Sequence, residues 1–309
     1  MNVFLLGSDQ RIVRAARVSF AKDEEVQIER DIKLIRYLLE NRHSSPFEHV
    51  VIAFESSEAF WLELLRKVKN PTFQAYYDGR HVWLNLRNLI NAMDHIPEKV
   101  VDVLRKRLPA TYAMIKGEEV KGYSTDRAYA EEKIETSSGF VALIDKLELD
   151  SPMDYYTFLV ECPIFVARQW FRHRFGSYNE VSRRYVSYEP TFYIPAYLRK
   201  QAKHNKQASL DHPVEEPWNS QFLEKIKFYV QELNKCYLEM LEKDVAREIA
   251  RGILPQLMKT RFYWTVPRIS LDNFISLRTH ESAQKEIREF AIAIKDMVGY
   301  KQWDKTMRL

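Results

Sequence analysis

The sequence predicts an α+β fold, a few short strands among many helices, on two observations. Helical periodicity of apolar residues recurs along most of the chain, while β-branched and aromatic runs are short and few. The strand-like runs do not alternate with helices in the regular manner of a doubly wound parallel sheet. No low-complexity stretch or Gly/Ser linker interrupts the 309 residues, so a single domain, 1–309, is expected.

Residues 26–42 place Ile28, Ile32, Ile35, Leu38 and Leu39 on one helical face, and Ser44, Ser45 and Pro46 end that helix. Residues 49–54 (HVVIAF) read as a strand. From about 55 to 153 the texture turns helical and charged. Pro97 is placed to open a helix whose apolar face holds Val100, Val101, Leu104 and Leu108, and the block reads as an insertion. Residues 155–161 (YYTFLVE) form a second strand, and Pro163 starts a helix carrying Ile164, Ala167, Arg168 and Phe171. Beyond it, 185–194 is strand-like and 200–217 reads as a surface loop. Phe222, Ile226, Tyr229, Leu233, Tyr237 and Leu241 describe a long amphipathic helix. Asp244 is placed to cap the next helix, with Arg247 and Arg251 on one face and Pro255 as its limit. Ser270 is expected to cap a short helix containing Asn273 and Arg278, and 284–297 forms the last one.

The chain carries 47 basic and 43 acidic residues, a formal net charge of +4, which suits small anionic ligands as well as nucleic acid. No run approaches the ~18 apolar residues of a membrane span, and the amino terminus lacks a signal-peptide pattern, so no membrane partner and a cytoplasmic location are expected. Cys162 and Cys236 are too few for a disulfide framework and lack metal-ligand spacing; both read as core thiols.

The most informative stretch is 172–184, RHRFGSYNEVSRR, with four arginines, a histidine, a glutamate and two serines. Clustered guanidinium groups repel one another unless an anion or a carboxylate completes the set, so this is an anion-binding site with chemistry attached. Its pattern, Arg172-His173-Arg174, seven residues, then Ser182, resembles the signature of the flavin-dependent thymidylate synthases, the ThyX family. The likeness extends in order through Arg14 to Phe20, Ser45 to His49, Pro163 to Trp170, Ala250-Arg251, Thr260 to Thr265 and Leu277-Arg278.

The resemblance implies a ThyX-like fold, a small, mostly antiparallel sheet with flanking helices, here interrupted by a helical insertion at about 55–153. It implies reductive methylation of dUMP to dTMP: methylenetetrahydrofolate gives the carbon, and FAD, reduced by NADPH, gives the hydride. No metal and no nucleic acid are expected. By position, Gln169, Glu180, Val181, Ser182, Arg183, Arg184, Arg251 and Arg278 should surround dUMP, with Arg278, Ser182 and Glu180 as the catalytic set. Ser19, His49, Arg172, His173, Arg174, Glu180 and Asn273 should contact FAD, some across subunit boundaries of a homotetramer.

Elementary chemistry supports these roles. A nucleotide phosphate between Arg184 and Arg251 would satisfy charge that is costly to bury. Methylation at carbon 5 of uracil needs electron density there, and a guanidinium against a ring carbonyl, here Arg278, stabilises the enolate-like anion that develops. Neither cysteine has a thiolate-activating context, so no enzyme thiol is expected to attack the ring, and Ser182 is a ligand rather than a nucleophile. Trp170, Phe171, Tyr178 and Tyr185 suit either a core or a flavin platform.

Two departures stand out. Where the family carries Asn-x-Arg after the Trp-Thr pair, this chain has Pro267, Arg268 and Ile269, retaining only Asn273; a histidine expected after the Leu-Arg pair is replaced by Ser282. The insertion holds Asn85-Leu86-Arg87 and then Asn91 at the missing spacing, so Asn85, Arg87 and Asn91 are expected to reach FAD in its place. Two other readings remain: methylation or hydroxymethylation of another pyrimidine nucleotide, and a non-catalytic relative binding a nucleotide or RNA.

Overall fold

The computed structural model describes residues 1–20, 26–126, 132–186, 189–202 and 209–299. A four-stranded antiparallel sheet is built from β1 (Val3–Leu6), β2 (Val51–Glu55), β3 (Tyr76–Tyr77) and β4 (His81–Asn85), in the order β1-β2-β4-β3. A second, five-stranded antiparallel sheet has the order β5-β6-β7-β11-β8, from β5 (Glu132–Glu135), β6 (Phe140–Leu147), β7 (Tyr155–Pro163), β8 (Ser177–Glu180) and β11 (Lys259–Pro267). The expected strands at 49–54 and 155–161 are thus β2 and β7.

Strand alternation assigns each sheet an outer and an inner face. On the first sheet Ile52, Phe54, Val82 and Leu84 turn outward against helices α1 (Asp9–Arg17), α2 (Ile28–Glu40) and α5 (Glu98–Arg107). On the second, Tyr156, Phe158, Phe262, Trp264 and Val266 turn toward α7 (Ile164–Trp170), α10 (Arg268–Arg278) and α11 (Lys285–Met297). Each such side chain contributes about 1.5–3 kcal/mol by leaving water. The inner faces meet one another: Leu6, Val51, Ala53 and Trp83 pack with Met153, Leu147 and Tyr155, and the Trp83 and Tyr155 rings lie 5.9 Å apart.

Polar fastenings reinforce that junction. Arg11, fully buried, pairs with Asp126 at 3.1 Å and Asp145 at 3.5 Å. Asp9 accepts from Thr111 Oγ1 at 2.6 Å and from Ser124, holding α1 to α6 (Pro109–Lys116). Asp78, in the β3–β4 turn, accepts from Ser151 Oγ at 2.6 Å and Trp83 Nε1 at 2.8 Å. Gly139 enters β6 so close to its neighbour that a Cβ would stand 1.9 Å from the Glu161 carbonyl oxygen.

Several local expectations are revised. The 55–153 block contains helices α3 (Glu58–Lys67), α4 (Leu86–Asn91), α5 and α6, and also strands β3 to β6. The described part of 185–194 forms no strand beyond a bridge between Phe192 and Met258, since Pro190 and Pro195 remove ladder donors. Within 200–217, a small hairpin pairs β9 (Arg199–Gln201) with β10 (Ser209–Pro213); residues 203–208 lie outside the described set. Asp244 does not cap α9 (Arg247–Ala250): its φ of 56° places it in the left-handed turn that stops α8 (Trp218–Glu242). Ser270 lies inside α10, because β11 runs straight into the helix through Pro267. Cys162 is buried as expected, whereas Cys236 is exposed on α8.

Candidate active site

β7 passes through Pro163 into α7, and Trp170 anchors the end of that helix in a nest of Phe262, Trp264, Phe274 and Phe290 rings 4.8–5.6 Å away. With Trp170 fully buried, Arg172 and Arg174 project outward and His173 turns in. Tyr178 closes the turn by donating to the His173 carbonyl at 2.8 Å, stacking on Trp264 as part of the core. Phe171 packs on Phe262, while Tyr185 is exposed beneath the Arg184 guanidinium.

Arg278, at the last turn of α10, donates from Nε to His173 Nε2 at 3.1 Å and from Nη2 to the Gln169 carbonyl at 3.2 Å. Burial, then the Arg278 charge, lower the His173 pKa to about 4, so the ring is neutral and can accept. Burial likewise lowers the pKa of Arg278. The Gln169 side chain donates from Nε2 to Gln284 at 2.6 Å, and Gln284 donates to Glu286 at 2.9 Å. Arg199 grips both Glu286 oxygens, at 2.9 and 2.8 Å, and Tyr193 donates at 3.1 Å.

A second group gathers where β8 ends. Thr260 donates to the Glu180 carboxylate at 2.7 Å; burial raises the Glu180 pKa, opposed by this bond and by the charge of Arg251. Ser19 donates to the Glu180 carbonyl at 3.0 Å, and its own carbonyl accepts from Ser182 N at 3.0 Å. Val181 N donates to the Arg261 carbonyl at 2.8 Å. The Ser182 hydroxyl accepts from Arg184 Nε at 3.3 Å, a pairing suited to an anion ligand and not to a nucleophile with a base. Arg184 and Arg251 are exposed and Arg183 is buried.

His49 lies beneath β8, fully enclosed. Its Nδ1 is 2.8 Å from Thr265 Oγ1 and its Nε2 is 3.1 Å from Asn179 Oδ1. Burial lowers its pKa to about 3, the Asn179 bond opposing and Arg11 assisting. With both nitrogens occupied, His49 braces the strands and does not present a ring nitrogen to solvent. The Cys162 thiol, on β7 and buried in the core with Val166 and Ala167, is pushed well above its ordinary pKa by burial, the reverse of an activated nucleophile.

Between the two sheets opens a cavity of about 700 Å³ whose lining includes Arg174, Ser177 and Pro267 on one side and Tyr76, Asn85 and Arg87 on the other. Arg87 Nη1 donates to Glu48 at 2.5 Å, and Asn85 caps α4 by accepting from Asn88 N at 2.9 Å. Tyr76 and Phe175 meet with ring centroids 5.0 Å apart. Of the expected flavin contacts the cavity unites Arg174, Asn85 and Arg87. Asn91 instead donates to the Arg87 carbonyl at 3.0 Å, and Arg172 and Asn273 are exposed outside the lining.

Sequence reasoning overlooked Glu48, Thr265, Tyr76, Gln284 and Glu286. Glu48 adjoins His49 in a segment already singled out, but Gln284 meets Gln169 across 115 positions, which no local pattern signals.

Comparison with known proteins places this geometry. The family model described as "Thymidylate synthase complementing protein" matches residues 4–66 and 102–301. A flavin-dependent thymidylate synthase from Aquifex aeolicus (strain VF5) is 59% identical over 99% of this chain and 98% of its own length. One from Thermosipho africanus (strain TCF52B) is 43% identical over 48% of this chain and 65% of its own. Among solved structures, the UMP/dUMP methylase PolB from Streptomyces cacaoi covers 96% of this chain and 89% of its own at 22% identity, with a TM-score of 0.43, too loose a likeness to bear on function. The chain belongs to the flavin-dependent thymidylate synthase family.

Proposed function

We propose that the protein is a thymidylate synthase that methylates dUMP to dTMP, with methylenetetrahydrofolate as carbon donor and FAD, reduced by NADPH, as the redox cofactor. The observation that carries this reading is the half-buried Arg278 guanidinium, steered by neutral His173 and the Gln169 carbonyl. A guanidinium held in that way can meet a uracil carbonyl and stabilise the anion that forms as carbon 5 becomes nucleophilic. Ser182, Arg184 and Arg251 suit the phosphate of the nucleotide. Glu180, held by Thr260 beside the charge of Arg251, suits a hydrogen bond to the ring or cofactor.

A flavin dinucleotide suits the 700 Å³ cavity, where Arg174 and Arg87 would hold its phosphates and Asn85 would add an amide. Bound there, the reduced flavin would supply the hydride that completes the methyl group. Phe222, Phe228 and Tyr229 are exposed along α8, which supports self-association, and a homotetramer is the assembly proposed. Among the described residues no helix is long and apolar enough to cross a membrane, in keeping with a proposed cytoplasmic location. The test is dTMP formation from dUMP, methylenetetrahydrofolate, FAD and NADPH by the purified protein. Turnover by the parent, and turnover lowered about 100-fold or more in a folded Arg278→Ala variant, is the expected result. A reducible bound flavin without dTMP would refute dUMP as the substrate.

A further inference from the structure

The two sheets share one core plan, although α1 and α2 join β1 to β2 where β7 follows β6 directly, and α8 and α9 precede β11 where β4 follows β3 directly. The order β1-β2-β4-β3 in the first matches β6-β7-β11-β8 in the second, with β5 added outside. A helix joins the second strand to the third-numbered one in each case, α3 between β2 and β3 and α7 between β7 and β8. A helix also follows without a break from the strand that pairs with both, α4 after β4 and α10 after β11. The helix after that returns to the first strand, α5 to β1 and α11 to β6.

Pairing register makes the correspondence residue by residue. Leu6, Val51 and Asn85 lie abreast in the first sheet, as Leu147, Tyr155 and Pro267 do in the second. Tyr76 pairs with Trp83 as Ser177 pairs with Thr265. The faces agree as well: Ile52 and Phe54, like Tyr156 and Phe158, point to the outer helices, while Val51 and Tyr155 point to the junction. Counting on through the unbroken strand–helix joints sets Arg87 opposite Ile269 and Asn91 opposite Asn273.

We infer that the chain is a tandem pair of one unit whose ligand-holding residues have been divided between the copies, forming one composite flavin-nucleotide pocket within a single chain. The first copy keeps Asn85 and Arg87 where the second has Pro267 and Ile269. The second keeps Arg174, three residues before β8, where the first has Phe73, three before β3. The cavity lies where the copies meet, lined by both members of the matched pairs Tyr76 with Ser177 and Asn85 with Pro267. Arg174, and Arg87 on exchanging its Glu48 partner, would meet one ligand from different copies, and two guanidinium groups suit the diphosphate of a dinucleotide. The stretch 67–101, which the family model leaves unmatched, is on this account much of the first copy.

The inference rests on the flavin reading, and titration of FAD into the full-length protein separates the two. Arg87→Ala and Arg174→Ala should each weaken binding about tenfold or more, and Ile269→Ala should not change it. Arg87→Gln provides a second variant of similar length, and circular dichroism checks that each is folded. Chains carrying Arg87→Ala and chains carrying Arg174→Ala, coexpressed and purified together through different tags, should bind no better than either alone, since every pocket carries one lesion. Parental affinity in a share of the mixed sites would overturn the inference by placing the two arginines of one site on different chains. Parental binding by Arg87→Ala would overturn it as well. A parent that binds dUMP but no FAD would instead refute the flavin reading.

Discussion

Arg278 Nε donates to His173 Nε2 at 3.1 Å, and a ring nitrogen accepts only when it carries no proton. The pair therefore works as donor and acceptor, not as two cations, and fixes the guanidinium without cancelling its charge. Removing it with Arg278→Ala should lower dTMP formation about 100- to 1000-fold in steady-state assays, in line with loss of one anion-stabilising donor. His173→Phe keeps the ring's bulk and loses the acceptor, so kcat should fall about tenfold.

Buried neutral histidines make stability acid-sensitive. His49 titrates at about 3 in the folded chain, against about 6.5 when unfolded, so on acidification the unfolded chain takes up its proton first. Stability is complete above pH ~6.5 and declines as pH falls toward 3, by about 2 kcal/mol at pH 5 from this group. Urea midpoints at pH 7.5 and pH 5.0 should show the loss, and His49→Gln should narrow the difference. Equal differences in parent and variant would contradict the assignment.

Gly139→Ala puts a methyl 1.9 Å from the Glu161 carbonyl oxygen, a clash with backbone that no side-chain rotation can relieve. The β6–β7 pairing must shift to admit it, at a cost of about 3 kcal/mol read as a lower denaturation midpoint.

Replacing Cys162 and Cys236 together with alanine should leave turnover in place, because burial holds the first thiol protonated and the second sits on exposed α8. Complete loss of dTMP formation in a folded double variant would show that a thiol takes part.

Gln284 orients the Gln169 amide, itself polarised by the Glu286 carboxylate behind it. Gln284→Ala should therefore raise KM for dUMP several-fold while flavin affinity stays at the parental value. Unchanged KM would mean that Gln169 does not meet the nucleotide through its side chain.

What could be read from the sequence follows the range of the forces involved. The spacing of Ile28, Ile32, Ile35 and Leu38 disclosed α2 because a helical stripe is a local pattern, and the 172–184 signature disclosed its chemistry because its residues are contiguous. Amphipathicity does not say what covers a face: α8 was legible as a helix, yet Phe228 and Tyr229 along it are exposed. The edge strand β3 is only two residues long and offers no periodicity, and its place is set by pairing with β4. The sequence echo between Asn85-Leu86-Arg87 and the altered stretch at 267–269 was visible, but equivalence needed the register, which only pairing provides. The partners of His49, Thr265 and Asn179, lie 216 and 130 positions away, beyond any local pattern.

The Asp78 turn keeps one clasp between the two sheets in place far into the acid range. Burial alone would raise the pKa of this carboxylate, but bonds from Ser151, the His81 and Arg80 amides and Trp83 bring it down to about 2. It therefore stays ionised, still clasping Ser151 across the junction, at pH values where His49 has already begun to charge. The same junction thus holds two carboxylates of opposite acid response: Asp78 keeps its charge below the ordinary carboxylate range, while burial raises the pKa of Asp145, the partner of Arg11.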